Sequence, residues 1–183
     1  MDRSTLLTLL RESESYISGQ EISRRLGVTR SAVWKAIGLL RADGYEIGAV
    51  SNRGYRLVSI PDKMSYEEIS SRLTTEYIAR DLHYYDETDS TNIRIRRLAE
   101  EGAAEGTLAV SDMQSAGRGR RGRGWVSPHG TNIYMSLLLK PDISPSDAPM
   151  ITLIMALSVA VGICAISDGQ AQVRIKWPND IVI

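Results

Sequence analysis

Apolar residues recur three and four apart through the first forty positions and in short alternating runs after them, so the chain opens in helices and then turns to strands. Leu6, Leu7, Leu9 and Leu10 make a helical stripe that ends before Ser13 and Ser15. Ser18 and Glu21 stand at capping-box spacing and start a second helix that stops at Gly27. Thr29 caps a third, TRSAVWKAIGLLRADG, with Val33, Ile37 and Leu40 on one face. Two short helices around a glycine-containing turn form a helix-turn-helix. The runs YEIGAV and YRLV, joined through Ser51-Asn52-Arg53-Gly54, then predict a hairpin, giving the winged form of that motif.

Residues 1–60 therefore read as one unit and the polar, proline-bearing stretch 61–66 as a linker, with a second domain over 67–183. Ser65 and Glu68 repeat the capping-box spacing, and from there strand-like and helical runs alternate: LHYY, NIRIRRLAEEG, TLAVSDM, NIYMSLLL. The pattern predicts a mixed sheet with helices on one side, so the fold class is α+β. The uncharged run MITLIMALSVAVGICAI, residues 150–166, predicts a helix buried against a sheet. Its length sits at the lower limit for a membrane span, and against spanning it has no Lys/Arg bias beside it. The chain ends within an apolar β-branched run, Ile181-Val182-Ile183, as a strand interrupted or one that pairs outside the chain.

Composition changes little: 43% hydrophobic and 24% charged residues with a formal net charge of zero exclude a partner recognised by global charge, and leave local clusters to do it. The lone Cys164 excludes an internal disulfide framework, fits a reducing, cytoplasmic location and reads as a packing residue. No secretory or lipidation pattern is expected from the first residues, and no membrane partner is expected. Residues 1–60 carry nine Lys/Arg against six Asp/Glu, a mildly basic block. On the third helix, Arg30, Ser31, Trp34 and Lys35, with Arg41 beyond, lie opposite the apolar face and would meet a DNA major groove, while Arg53 at the wing tip would reach the minor groove. Winged helices also serve as protein-protein modules, which this pattern leaves open.

The strongest local signal is GRGRRGRGW, from Gly117 to Trp125, with four arginines and four glycines in its first eight residues. It satisfies G-x-G-x-x-G, yet a Pro/Gly-bearing loop follows where a dinucleotide site needs a helix. It is also shorter than the repetitive RGG segments that bind RNA. An anion-binding loop remains, in which guanidinium forks grip phosphate or carboxylate and glycines let the backbone wrap closely; a merely solvated loop is the alternative. Such a loop is expected to be mobile until an anion neutralises it. Asp89-Ser90-Thr91-Asn92, between a strand and a helix, offers hydroxyls and an amide either as helix caps or as ligand hydrogen bonders, and the sequence alone favours capping. Lys176-Trp177-Pro178-Asn179-Asp180 places a cation, an amide and a carboxylate at a strand end, where sites form. His83 and His129 are too isolated along the chain to suggest a metal site.

Taken in order behind a winged helix, DSTN, Gln114 with GRGRRGRGW, and KWPND resemble the motifs of the biotin protein ligases, more narrowly the bifunctional type that also represses the biotin operon. The resemblance implies the biotin ligase fold, related to that of class II aminoacyl-tRNA synthetases, and a two-step reaction. Biotin's carboxylate attacks the α-phosphate of ATP, with Mg²⁺, to give biotinyl-5′-AMP. A lysine of a biotin carboxyl carrier domain then takes the biotinyl group. It further implies that Arg118 and Arg120 neutralise the reacting anions, within a ligand-binding segment Gly117, Arg118, Gly119, Arg120, Arg121, Arg123. Ser90, Thr91, Asn92 and Gln114 would hydrogen-bond biotin in place of capping, and Trp125 would lie against the adenylate. Lys176 would add positive charge, with Asn179 and Asp180 orienting the ligand. Repressors of this type form a homodimer on operator DNA when biotinyl-AMP is bound. Members continue past KWPND to a second lysine and a small β-barrel, so the resemblance implies a chain truncated within its catalytic domain and of low activity. A non-enzymatic sensor of biotin or its adenylate and a lipoate-type ligase are the competing readings.

Overall fold

Side-chain caps fix where the first helices start in the computed structural model, which describes residues 1–119 and 123–183. The Asp2 carboxylate accepts from Ser4 N–H to open α1 (Arg3–Glu12), the Ser18 hydroxyl from Glu21 N–H to open α2 (Gly19–Leu26), and the Thr29 hydroxyl from Ala32 N–H to open α3 (Arg30–Ala42). Gly27 ends α2 in the left-handed region at φ 65°. Leu6, Leu7 and Leu10 from α1, Ile22 from α2, Val33, Ile37 and Leu40 from α3 and Ile47 from the wing close one core. The wing is β1 (Glu46–Val50) paired antiparallel with β2 (Gly54–Ser59), as the alternation predicts.

The polar segment after the wing leads to α4 (Tyr66–Ser70), capped by the Ser65 hydroxyl, which accepts from Glu68 N–H. This helix lies against α1. Arg11 pairs with Glu68 and Arg3 with Glu67, while the Thr8 hydroxyl donates to Ser71 O at 3.1 Å. Beyond it, β3 (Leu82–Thr88) and β4 (Leu108–Gln114) run parallel and are joined by α5 (Thr91–Glu100), and β5 (Tyr134–Leu137) pairs antiparallel with β4. That is the mixed sheet of an α+β fold. Its register sets Thr88 beside Gln114 at the carboxyl ends of the two parallel strands, where crossover sheets open their clefts.

The chain divides into two compact units, Met1–Leu139 and Lys140–Ile183. The second holds α6 (Pro149–Ile166) and the hairpin β6 (Arg174–Lys176) with β7 (Asp180–Val182). The expected burial of α6 is not met. Only Ala156 and Ala160 are buried, while Ile154 and Val161 are each 60% exposed. An apolar circumference calls for cover on every side, and a hairpin of two three-residue strands can cover one at most. By length and composition alone α6 could cross a membrane. Cys164, read as a packing residue, is partly exposed on it.

Candidate functional site

The cleft forms where β3 ends and α5 begins. Ser90 occupies the N-cap position of α5 but its hydroxyl makes no cap bond, so the capping reading of this motif fails there. The geometry gives the reason: the helix start is held by Gln114, whose Oε1 accepts from Thr91 N–H at 2.8 Å and from the Thr91 hydroxyl at 3.2 Å. A side chain from the neighbouring strand thus replaces the local cap, and Ser90 lines the cleft. Asp89 is fixed by Ser90 N–H, by the Thr88 hydroxyl at 3.0 Å and by Arg94 and Arg97. Chiefly through the Ser90 N–H bond, its carboxyl is held below the usual aspartate range.

Ser90, Asn92, Arg118 and Gly119, from two of the sequence motifs, line one cavity of about 430 Å³. Two further residues complete it: Ile93, and Arg96, which forms no ion pair among the described residues. Arg96 follows Asn92 by four residues and so shares its helix face, a spacing from which the sequence could have found it. Two guanidinium groups on one small cavity favour an anionic ligand. Thr91, by contrast, turns away from the cavity into a network with Gln114 and Ser136, whose Oγ lies 2.9 Å from Thr91 Oγ1 and 3.1 Å from Asn92 Oδ1. No local motif marks Ser136; only the β4–β5 pairing brings it there.

The arginine loop is anchored where it is described. Gly119 N–H donates to Arg123 O at 2.7 Å, Trp125 N–H to Gly117 O at 2.9 Å, and Arg118 bridges Gly124, so the outgoing and returning limbs pair antiparallel. Arg120 and Arg121 lie outside the described residues. The Trp125 ring packs beside Gly119, yet the side chain stays 62% exposed and available to a flat ligand. Lys176, Asn179 and Asp180 belong to the second unit, where Lys176 Nζ lies 3.8 Å from Asp180 Oδ2 across the β6–β7 hairpin, all three residues exposed.

His129 is not isolated. Its Nδ1 lies 2.9 Å from Asp112 Oδ2, and Asp86 joins them so that three ligand atoms fall within 4.8 Å. The other Asp112 oxygen accepts from Gly130 N–H at 3.2 Å, so Asp112 staples the 128–130 turn, and the imidazole makes the trio a poor fit to Mg²⁺, a cation that takes oxygen donors. The hydrogen bond to Asp112 lifts the His129 imidazole above its ordinary value of 6.5.

A second concavity, a groove of about 650 Å³, lies on the winged helix between the start of α2, α3 and the wing. Arg30, Ser31 and Trp34 line it together with Gln20 and Asn52, and the Trp34 indole is 72% exposed. Lys35 is exposed on α3 without lining the groove. The Arg53 guanidinium lies 5.6 Å from the Tyr16 ring centroid and Arg56 5.3 Å from it, so the wing's cations are stacked in place. Arg41 departs from its expected DNA-facing role: its guanidinium donates to Ile47 O and ties α3 to β1.

Two protein families match the chain. The HTH domain family matches residues 2–56 and the Biotin/lipoate A/B protein ligase family residues 84–183. The bifunctional ligase/repressor BirA of Bacillus subtilis is 46% identical over 182 residues, covering 99% of this chain and 55% of the relative. That of Escherichia coli is 32% identical over 179 residues, covering 97% and 53%. The solved biotin protein ligase from Aquifex aeolicus in complex with biotin and ATP aligns with 57% of this chain and 42% of its own, at 36% identity and a TM-score of 0.49. The chain spans about half the length of the curated relatives it matches.

Proposed function

The chain belongs to the biotin/lipoate A/B protein ligase family, and from that membership we propose that it serves ATP-dependent biotin ligation and biotin-responsive repression. The observation that carries the ligand assignment is the cavity that gathers Ser90, Asn92, Arg118 and Gly119 at the carboxyl ends of two parallel strands. Activating a carboxylate with ATP brings one anion against another. The guanidiniums of Arg118 and Arg96, without ion partners among the described residues, offset that repulsion and stabilise charge as the carboxylate oxygen bonds to the α-phosphorus and pyrophosphate departs. The Ser90 hydroxyl and the Asn92 amide orient biotin. Gln114 keeps one amide N–H beyond those committed among the described residues, and Trp125 covers the adenylate and excludes water. Mg²⁺ enters with ATP. In this reading Arg120 adds a further cation, and Lys176, Asn179 and Asp180 are ligand-orienting residues by the likeness of KWPND to the family motif.

In the second step the amine of a carrier-domain lysine attacks the acyl carbon and releases AMP. The winged helix supports the repressor half of the proposal: Arg30, Ser31, Trp34 and Lys35 would meet operator DNA in the major groove, with Arg53 at the adjacent minor groove. A homodimer formed on biotinyl-AMP would match a two-half-site operator, and the location would be cytoplasmic. The test is pyrophosphate release from Mg-ATP on addition of biotin or of lipoate. Release with biotin alone is expected. Binding of biotin without release would leave a sensor, and release with lipoate alone would move the substrate assignment to lipoate.

A further inference from the structure

Ser127 is buried to 4% exposure between two exposed neighbours, Val126 and Pro128, in a segment outside the named strands. A small polar residue drawn inward from such a stretch is held by its hydroxyl, and the partners are specific. Gln114 Nε2 donates to Ser127 Oγ at 3.1 Å, and Gln114 N–H donates to Ser127 O at the same distance. The orientation of the Gln114 amide is not free. Thr91 N–H can only donate, so Oε1 must face Thr91 and Nε2 must face Ser127. Ser127 Oγ in turn donates to Trp125 O at 3.4 Å, while Trp125 N–H holds Gly117 O. Gly117 is required for space rather than for its backbone angle: a Cβ there would stand 2.8 Å from Trp125 O and 2.9 Å from Ser127 Oγ.

We infer that Ser127 is a positioning residue that locks the Gln114 amide, and through it joins the start of α5 to the returning limb of the arginine loop as one hydrogen-bonded unit. The role rests on the biotin reading of the cavity only for its consequence in binding; the lock itself is a property of the chain without ligand. Removing the hydroxyl leaves the Gln114 amide nitrogen without its acceptor, and the side chain relaxes by rotating, which releases Thr91 N–H.

The experiment is Ser127→Ala in the 183-residue chain, read by amide hydrogen exchange without ligand and by calorimetric titration with biotin. The Thr91 and Trp125 amides are expected to exchange roughly ten-fold faster, and biotin to bind roughly ten-fold more weakly. The Tyr45 amide, bonded to Leu40 O in the winged helix, should not change, which separates a local release from loss of the fold. Gly117→Ala supplies an independent arm. Because its clash is partly with Ser127 Oγ, the double variant should lose less biotin affinity than the two single losses combined. Unchanged exchange at Thr91 overturns the lock. Faster exchange with undiminished biotin affinity overturns its role in binding. If the unsubstituted chain takes up no biotin, the ligand reading fails by itself, and the exchange result still decides the lock.

Discussion

Among the described glycines, Gly54 at the start of β2 has the closest approach to an added Cβ. Its φ of 106° lies in the region L side chains avoid, and a Cβ would stand 2.0 Å from Ile17 O and 2.5 Å from Ser18 Cα, all fixed backbone. The segment before α2 and the wing must therefore separate. They are joined there by Tyr55 N–H to Ile17 O at 2.8 Å and Ile17 N–H to Tyr55 O at 2.9 Å. The strained backbone costs about 1–3 kcal/mol and the two lost bonds together about 1–3 kcal/mol, so Gly54→Ala should destabilise the winged helix by about 4 kcal/mol. Gly27 supplies the control. It has φ 65°, and a Cβ there would meet nothing within 4 Å, so Gly27→Ala should cost only the backbone contribution of about 1 kcal/mol. Urea melts of both variants give the difference, and exchange at the Tyr55 amide localises it. Equal destabilisation by the two substitutions would refute the close-approach argument.

Further outcomes follow from the same contacts. Glu68→Ala should destabilise the first unit by about 3 kcal/mol in urea melts, because Arg11, whose side chain is 19% exposed, loses its carboxylate. The His129 imidazole, held by Asp112, should titrate above 6.5 by NMR and fall back in Asp112→Asn. Since its folded value is the raised one, its stabilisation of the 128–130 turn is fully present below the unfolded value near 6.5 and is lost as pH climbs through the folded value. Arg96→Ala should weaken an anionic ligand by roughly five- to ten-fold at low salt and less at high salt, as expected of an exposed cation.

Contacts close in sequence were legible and those made across the sheet were not. Ser18, Thr29 and Ser65 cap helices because each cap bond spans three residues, and the core positions Val33, Ile37 and Leu40 follow from one helical period. At Ser90 the local rule fails because Gln114, on the neighbouring strand, supplies the acceptor that a cap would have supplied. Ser127, Ser136 and the His129–Asp112 pair likewise depend on contacts between segments distant in sequence, which periodicity does not encode. Arg41 illustrates the reverse case: its helix face is predicted correctly as polar, but a nearby carbonyl at Ile47 claims the guanidinium first. The apolar run of α6 identifies the helix and not what covers it.

In the proposed reaction Arg118, on a cavity with Ser90 and Asn92, grips the anion of an activated biotin. Equilibrium retention of biotinyl-5′-AMP by this chain and by Arg118→Ala measures that directly. A charge-assisted hydrogen bond of about 1.5–3 kcal/mol predicts a loss of roughly ten- to a hundred-fold. Equal retention by the two proteins would contradict the account.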